Sequence, residues 1–213
     1  MPPPIKTQQP LKGVLFFITA IFLISVVDTI CKLFTKDLHS IQLVWGYFVG
    51  INLILWIFFF LKGEKLSKLR MTDRPLLQIV RPAFLVCSIS SLFVGLTYLP
   101  IAEATAIGFV APLFITALSV PILKETVDIH RWSAVVIGLI GVIIIVRPGS
   151  DFWHYASIMP LLGALFFALF QIMTRLLSAT ENTYTTLFYT GLGGLGWSSL
   201  MVPFVWVVPF KIH

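Results

Sequence analysis

The chain is poor in cysteine, in charge and in polar stretches of any length. Two cysteines, Cys31 and Cys87, stand inside or at the end of apolar segments, which excludes a disulfide scaffold and a cysteine-rich metal site. Charged residues make up 11% of 213 positions, too few to cover the surface of a soluble globule in a chain that is 58% apolar, with a mean hydropathy of +0.96. The histidines, His39, His130, His154 and His213, fall outside the interiors of the apolar segments, and no HExxH, GxSxG or phosphate-binding glycine loop is present. The sequence therefore offers no nucleophile with its base and no metal cluster, so an enzyme is not expected, and neither is a cofactor or a metal. A cleaved signal peptide also fits badly. The first apolar stretch begins after Lys12, contains Asp28 and has no small-residue cleavage pattern behind it, so it is expected to stay as a membrane span.

What the chain has in abundance is apolar segments of membrane length. A helix needs about 20 mainly apolar residues to cross a hydrocarbon core of about 30 Å. Seven stretches qualify: Leu11 to Phe34, Ser40 to Leu61, Pro75 to Leu99, Ile101 to Leu123, Arg131 to Arg147, Phe152 to Leu177 and Tyr184 to Pro209. Runs such as Ala134 to Val146 are continuously apolar, whereas a barrel strand alternates, so the expected fold is an all-α polytopic membrane protein with seven transmembrane helices. Connections are short apart from Lys62 to Arg74, which leaves no room between spans for an extramembrane domain.

Charge placement then sets an orientation. With the N-terminal tail (residues 1–10) in the cytoplasm, Lys6, Lys12, Lys62, Lys65, Lys68, Arg70, Arg74, Arg81, Lys124, Arg131 and Arg175 gather on the inner side, and Lys32, Lys36, Arg147 and Lys211 on the outer. Topology and anionic lipid thus account for the net charge of +6 without a nucleic-acid partner.

An ungapped offset of 143 positions places Asp28 on Gln171, Lys32 on Arg175, Leu33 on Leu176, Trp45 on Phe188 and Gly50 on Gly193. Five spans separate Asp28 from Gln171, so the second copy enters the membrane with the opposite orientation, the pattern of secondary transporters. The expected organisation is a first five-helix repeat over 11–149 and a partial second repeat over 152–213, with about 75 residues and three helices wanting for a complete second half.

Several residues are candidates for a substrate or ion pathway, each with a plainer reading beside it. Asp28 and Lys32 lie one helical turn apart and can pair, either as a structural ion pair with Lys32 reaching for the interface or as part of a cavity wall. Glu103 follows Pro100, where it offsets a helix dipole or faces the pathway. Pro112 has no N–H for the Gly108 carbonyl, so the fourth span should kink there, for transport or for packing alone. Gln171 and Arg175 repeat Asp28 and Lys32, with Arg175 an interfacial anchor or a cation offered to an anionic substrate. Tyr98, Trp45 and Tyr47 can stack on a flat substrate or form an aromatic belt. Gly46 and Gly50 make a GxxxG suited to close helix packing. A retinal-type receptor, suggested by the count of seven, would want a lysine deep in the last span, and Tyr184 to Pro209 has none.

The segment YLPIAEATAIGFVAPLFITALSVPILKETVDIHRWSAVVIGLIGVIIIVRPG, Tyr98 to Gly149, closely resembles the EamA-type transporters of the drug/metabolite transporter superfamily. The resemblance rests on the LP-AEAT run at Leu99 to Thr105, Pro112 with Phe114, Lys124-Glu125, Arg131-Trp132, and the close through Gly138, Gly141 and Arg147 to Gly149. It extends to DTICKLF at Asp28 to Phe34 and ALFQIMTRLL at Ala168 to Leu177. It implies ten helices in two inverted repeats, a bacterial inner membrane, cytoplasmic termini, and alternating-access transport of a small metabolite: an amino acid, an amino-acid derivative or an S-adenosylmethionine-like compound. One departure is Tyr47, where relatives carry an arginine. The alternative is a transport-inactive remnant, or a half that completes itself with a second copy as a homodimer.

Overall fold

A computed structural model describes residues 10–63, 69, 71–146 and 155–206. The tail before Pro10, the basic residues Lys65, Lys68 and Arg70, His154, the Arg147 to Gly149 motif and the stretch after Trp206 with Lys211 lie outside the described residues.

The described residues form helices without a strand: α1 (Pro10–Phe34), α2 (Ser40–Lys62), α3 (Pro75–Tyr98), α4 (Ile101–Gly108), α5 (Ala111–Leu123), α6 (Ile129–Val146), α7 (Ile158–Ser178) and α8 (Thr183–Met201), with single 3₁₀ turns at Tyr155–Ser157 and Val202–Phe204. Local chemistry sets their ends. The His39 ring accepts from the Ile41 amide while the Gln42 side chain accepts from the His39 amide, which caps α2, and Gly63 closes it in the left-handed conformation at φ 64°. Pro75 starts α3, Pro100 stops its continuation, Asp128 Oδ1 accepts from the Ile129 amide, and Asn182 caps α8 through the Tyr184 amide.

Among the described residues, five helical segments are long and apolar enough to cross a membrane: Gly13–Phe34, Ser40–Lys62, Pro75–Tyr98, Ile101–Leu123 and Tyr155–Ser178. The protein is an all-α polytopic membrane protein. The fifth and seventh expected spans also fold as helices, α6 and α8. α6 is apolar in sequence from Ala134 through Val146, whereas α8 carries threonine, tyrosine and glycine along its length and falls short of that standard. Nor does the last helix run on toward Pro209 as expected: it ends at Met201, and a 3₁₀ turn through Pro203, which has no amide to donate, follows it.

α3 is the axis of the bundle, packed by α7, α8 and α2. Its Val86, Phe93 and Leu96 are buried with Val44 and Phe48 of α2 and Ala104 and Ile107 of α4. Small residues allow the close approaches: a Cβ on Gly95 would meet the Pro160 ring at 2.7 Å, and one on Gly163 would meet the Ser88 carbonyl at 3.0 Å. By contrast, the described side chains of α1 up to Val26 and most of those described in α6 point outward, with Phe16 76% and Ile137 69% exposed, as a lipid-facing helix requires.

Two ends of the bundle can be told apart. One collects Lys62, Arg74, Lys124, Arg131 and Arg175 and is called here the basic end; the other holds Lys32, Lys36 and the α3–α4 corner.

Candidate substrate pathway

The residues expected to carry function do not converge on one point. Asp28 and Lys32 share a face of α1, but the expected ion pair does not form. The Lys32 ammonium donates to the Leu96 carbonyl and, at 2.8 Å, to the Leu99 carbonyl. These are orphan carbonyls at the C-terminal end of α3, where a cation also meets the negative end of the helix dipole, so the long side chain finds two acceptors there instead of one carboxylate. Asp28 is left half-buried, within electrostatic range of the Cys31 thiol and the Tyr47 phenol. Tyr47 itself packs edge-on against Phe48 at 5.6 Å.

Glu103 occupies the first turn of α4, half-buried. The fourth span breaks where Pro112 predicted. α4 ends at Gly108, the Val110 amide reaches back three residues to the Ile107 carbonyl, and α5 starts at Ala111 with Pro112 in its first turn. With no N–H at 112, the Gly108 carbonyl keeps a lone pair unclaimed by its own helix.

Tyr98 stacks at a tilt on Tyr155, ring centroids 6.2 Å apart, beside the α3–α4 corner. At the basic end, Arg175 makes a two-pronged ion pair with Glu125, Nη2 to Oε1 at 2.7 Å and Nη1 to Oε2 at 3.0 Å, so it ties α7 to the turn after α5. Gln171, one turn earlier, is half-buried.

The GxxxG expectation is corrected. A Cβ on Gly46 or Gly50 would meet nothing within 4 Å, so neither glycine is a packing groove. The close approaches lie on α8, where a Cβ on Gly191 would meet Leu55 at 2.8 Å, one on Gly193 would meet Pro82 at 2.7 Å, and one on Gly194 would land in the Phe48 ring. Asn52 of α2 fixes the same contact, donating at 2.8 Å both to its own Phe48 carbonyl and to that of Gly191.

Arg81 is the residue that orientation counting mistook for an interfacial charge. It sits six positions into α3, directly before the buried Pro82, and is 1% exposed. Its Nη1 donates to Thr174 Oγ1 at 3.0 Å; its Nη2 donates to the Thr186 carbonyl at 2.8 Å and to Thr190 Oγ1 at 2.6 Å. The guanidinium also stands 5.1 Å from the centre of the Phe170 ring. Nε has no partner, and neither amide atom of Gln78, one turn earlier and 0% exposed, has one. Pro82 adds a third unmet group, since it cannot donate to the Gln78 carbonyl. A charge inside an apolar span next to a proline was the sequence signal for this cluster.

The EamA-like transporter family model matches residues 11–147, well over half of the chain. Among curated proteins, an S-adenosylmethionine uptake transporter of Rickettsia prowazekii is 28% identical over 182 residues, 85% of this chain and 61% of that protein. A riboflavin transporter of Vibrio cholerae is 29% identical over 187 residues, with 85% and 61% covered, and a pseudopaline exporter of Pseudomonas aeruginosa is 25% identical over 178 residues, with 83% and 61% covered. The chain thus spans about 61% of the length of the curated relatives it matches. No solved structure matches. With the matched range running from Leu11 in α1 past the end of α6 at Val146, the chain belongs to the EamA-like transporter family.

Proposed function

We propose that the protein is a secondary transporter that moves a small metabolite across a bacterial inner membrane by alternating access. The carrying observation is the family match from 11 to 147, which takes in α1 through α6. Three features support the reading. The fourth span is broken at Gly108 to Val110, as in transporters whose discontinuous helices face the cargo. Polar side chains that would be costly in lipid, Asp28, Glu103, Gln171 and Arg81, lie on the spans. The buried Arg81 cluster joins α3 to α7 and α8, the contact between a first repeat over 11–149 and a second over 152–213.

In this reading Asp28, Lys32, Tyr47, Tyr98, Glu103, Pro112, Gln171 and Arg175 flank the pathway. The basic end faces the cytoplasm, and the cargo passes chemically unchanged. The relatives' cargoes, S-adenosylmethionine among them, favour an amino acid, an amino-acid derivative or an S-adenosylmethionine-like compound.

The test is uptake of radiolabelled S-adenosylmethionine, methionine and riboflavin by vesicles reconstituted with the full chain. Accumulation above protein-free vesicles, lowered at least about tenfold by Asp28→Asn or Glu103→Gln, is the expected result, on the scale of one lost charge-assisted contact. Failure to accumulate any of the three would overturn the reading.

A further inference from the structure

We infer that Arg81 and Gln78 form a subsite for the carboxylate of an anionic or zwitterionic cargo; the inference rests on the transporter reading and names its substrate class. A guanidinium offers five N–H donors and cannot be neutralised, so a buried arginine calls for a negative partner. Among the described residues no carboxylate stands within ion-pair distance of Arg81; its three bonds go to two threonine hydroxyls and a backbone carbonyl, all neutral. Nε remains without a partner.

Gln78 supplies the second, independent observation. It shares a face of α3 with Arg81 three positions on, is fully buried, and has neither its amide nitrogen nor its amide oxygen bonded. A buried amide with no partner weakens a fold that a leucine of similar size would serve better. Its presence beside an uncompensated cation is what a binding site, with donors held ready for a ligand, would require. Pro82 keeps the backbone irregular at the same level, and Trp197 Nε1 donates at 2.9 Å to the Ile79 carbonyl across it.

The chemistry favours one negative charge. A carboxylate neutralises the single buried positive charge, whereas a phosphate dianion would leave an excess charge in a low-dielectric setting. A lipid headgroup does not suit, because Arg81 is enclosed by α7 and α8 and is 1% exposed. The cluster lies between α3 and the α7–α8 pair, so rocking of one against the other opens it.

The experiment measures the melting temperature of the full chain in detergent with L-methionine beside methioninamide, S-adenosylmethionine beside its decarboxylated form, and inorganic phosphate. The expected result is a rise with at least one carboxylate and none with its neutralised or decarboxylated twin. Gln78→Leu should melt no lower than the wild type without ligand yet bind that carboxylate about ten- to a hundredfold more weakly. Arg81→Gln should lose the discrimination, and Gln78→Leu carries the test if Arg81→Gln does not fold. Equal shifts by acid and twin, a shift by phosphate alone, no shift by any compound, or full affinity in Gln78→Leu would overturn the inference. Vesicle uptake separates the two readings: transport indifferent to Gln78→Leu sinks the subsite and leaves the transporter, while carboxylate-specific binding without uptake does the reverse.

Discussion

At the scale of single residues, space decides more than identity. Gly46 and Gly194 are both glycines in the middle of apolar helices, yet one faces open space and the other the Phe48 ring, which is 0% exposed and cannot swing away. Gly194→Ala should therefore destabilise the protein by about 1–3 kcal/mol, the usual cost of forcing a methyl into a packed core. Gly46→Ala should change stability by less than about 0.5 kcal/mol and can gain slightly from the better helix propensity of alanine. Denaturant titration in detergent, followed by tryptophan fluorescence, measures both. An equal loss for the two variants would mean that α2 and α8 are not in the contact described. The spacing of Gly46 and Gly50 announced a groove in the sequence, but spacing states only that a groove exists; whether a neighbour fills it depends on which side of α2 the chain returns to. Lys32 was misread for a related reason. Its ammonium reaches the carbonyls at the end of α3, and nothing local to α1 records that those carbonyls lie there.

At the scale of elements, length and apolarity were legible because a bilayer imposes both, and the helices stand close to where the apolar runs placed them. The break in the fourth span was legible too, since a missing amide at 112 needs no tertiary context. Arg81 was not, because its depth along α3 is the same whether it snorkels to the interface or turns inward, and only the threonines of α7 and α8 select the second. The two prolines predict different things. Pro82 is buried among α3's partners, while Pro112 is exposed in the first turn of α5, where proline fits. Pro112→Ala restores a donor for the Gly108 carbonyl and lets α4 run into α5. We expect that variant to melt as high as the wild type or higher, and to lose at least about tenfold in uptake, as loss of a working hinge can cost. Unchanged uptake with a raised melting temperature would assign the break to packing alone.

At the scale of the whole molecule, each end of the bundle combines polar and aromatic ties between distant parts of the chain. At the basic end Arg175 pairs with Glu125, Glu181 accepts from Thr72 Oγ1 at 2.7 Å and from the Asp73 amide at 3.0 Å, and Phe59 packs edge-on to Tyr184 at 6.4 Å. At the other end Lys32 donates to the carbonyls that end α3, Tyr98 stacks on Tyr155, and Trp45 stands edge-on to Trp206 at 6.3 Å while donating to Ser199 at 3.0 Å. Exposed ion pairs contribute about 0–1 kcal/mol each, so at the basic end the Arg175–Glu125 pair adds little to the aromatic packing beside it. The proposal that this face meets the cytoplasm rests on the basic residues crowded there, since lysine and arginine are retained on that side. A chain with Cys31 and Cys87 changed to alanine, carrying either Asp37→Cys or Thr180→Cys, tests this. Both positions are exposed, Asp37 between α1 and α2 and Thr180 between α7 and α8, at opposite ends of the bundle. A membrane-impermeant maleimide should label position 37 in intact cells and position 180 only after the membrane is opened. The reverse pattern would place the salt-bridged face outside, and charge crowding would then not be what orients this chain.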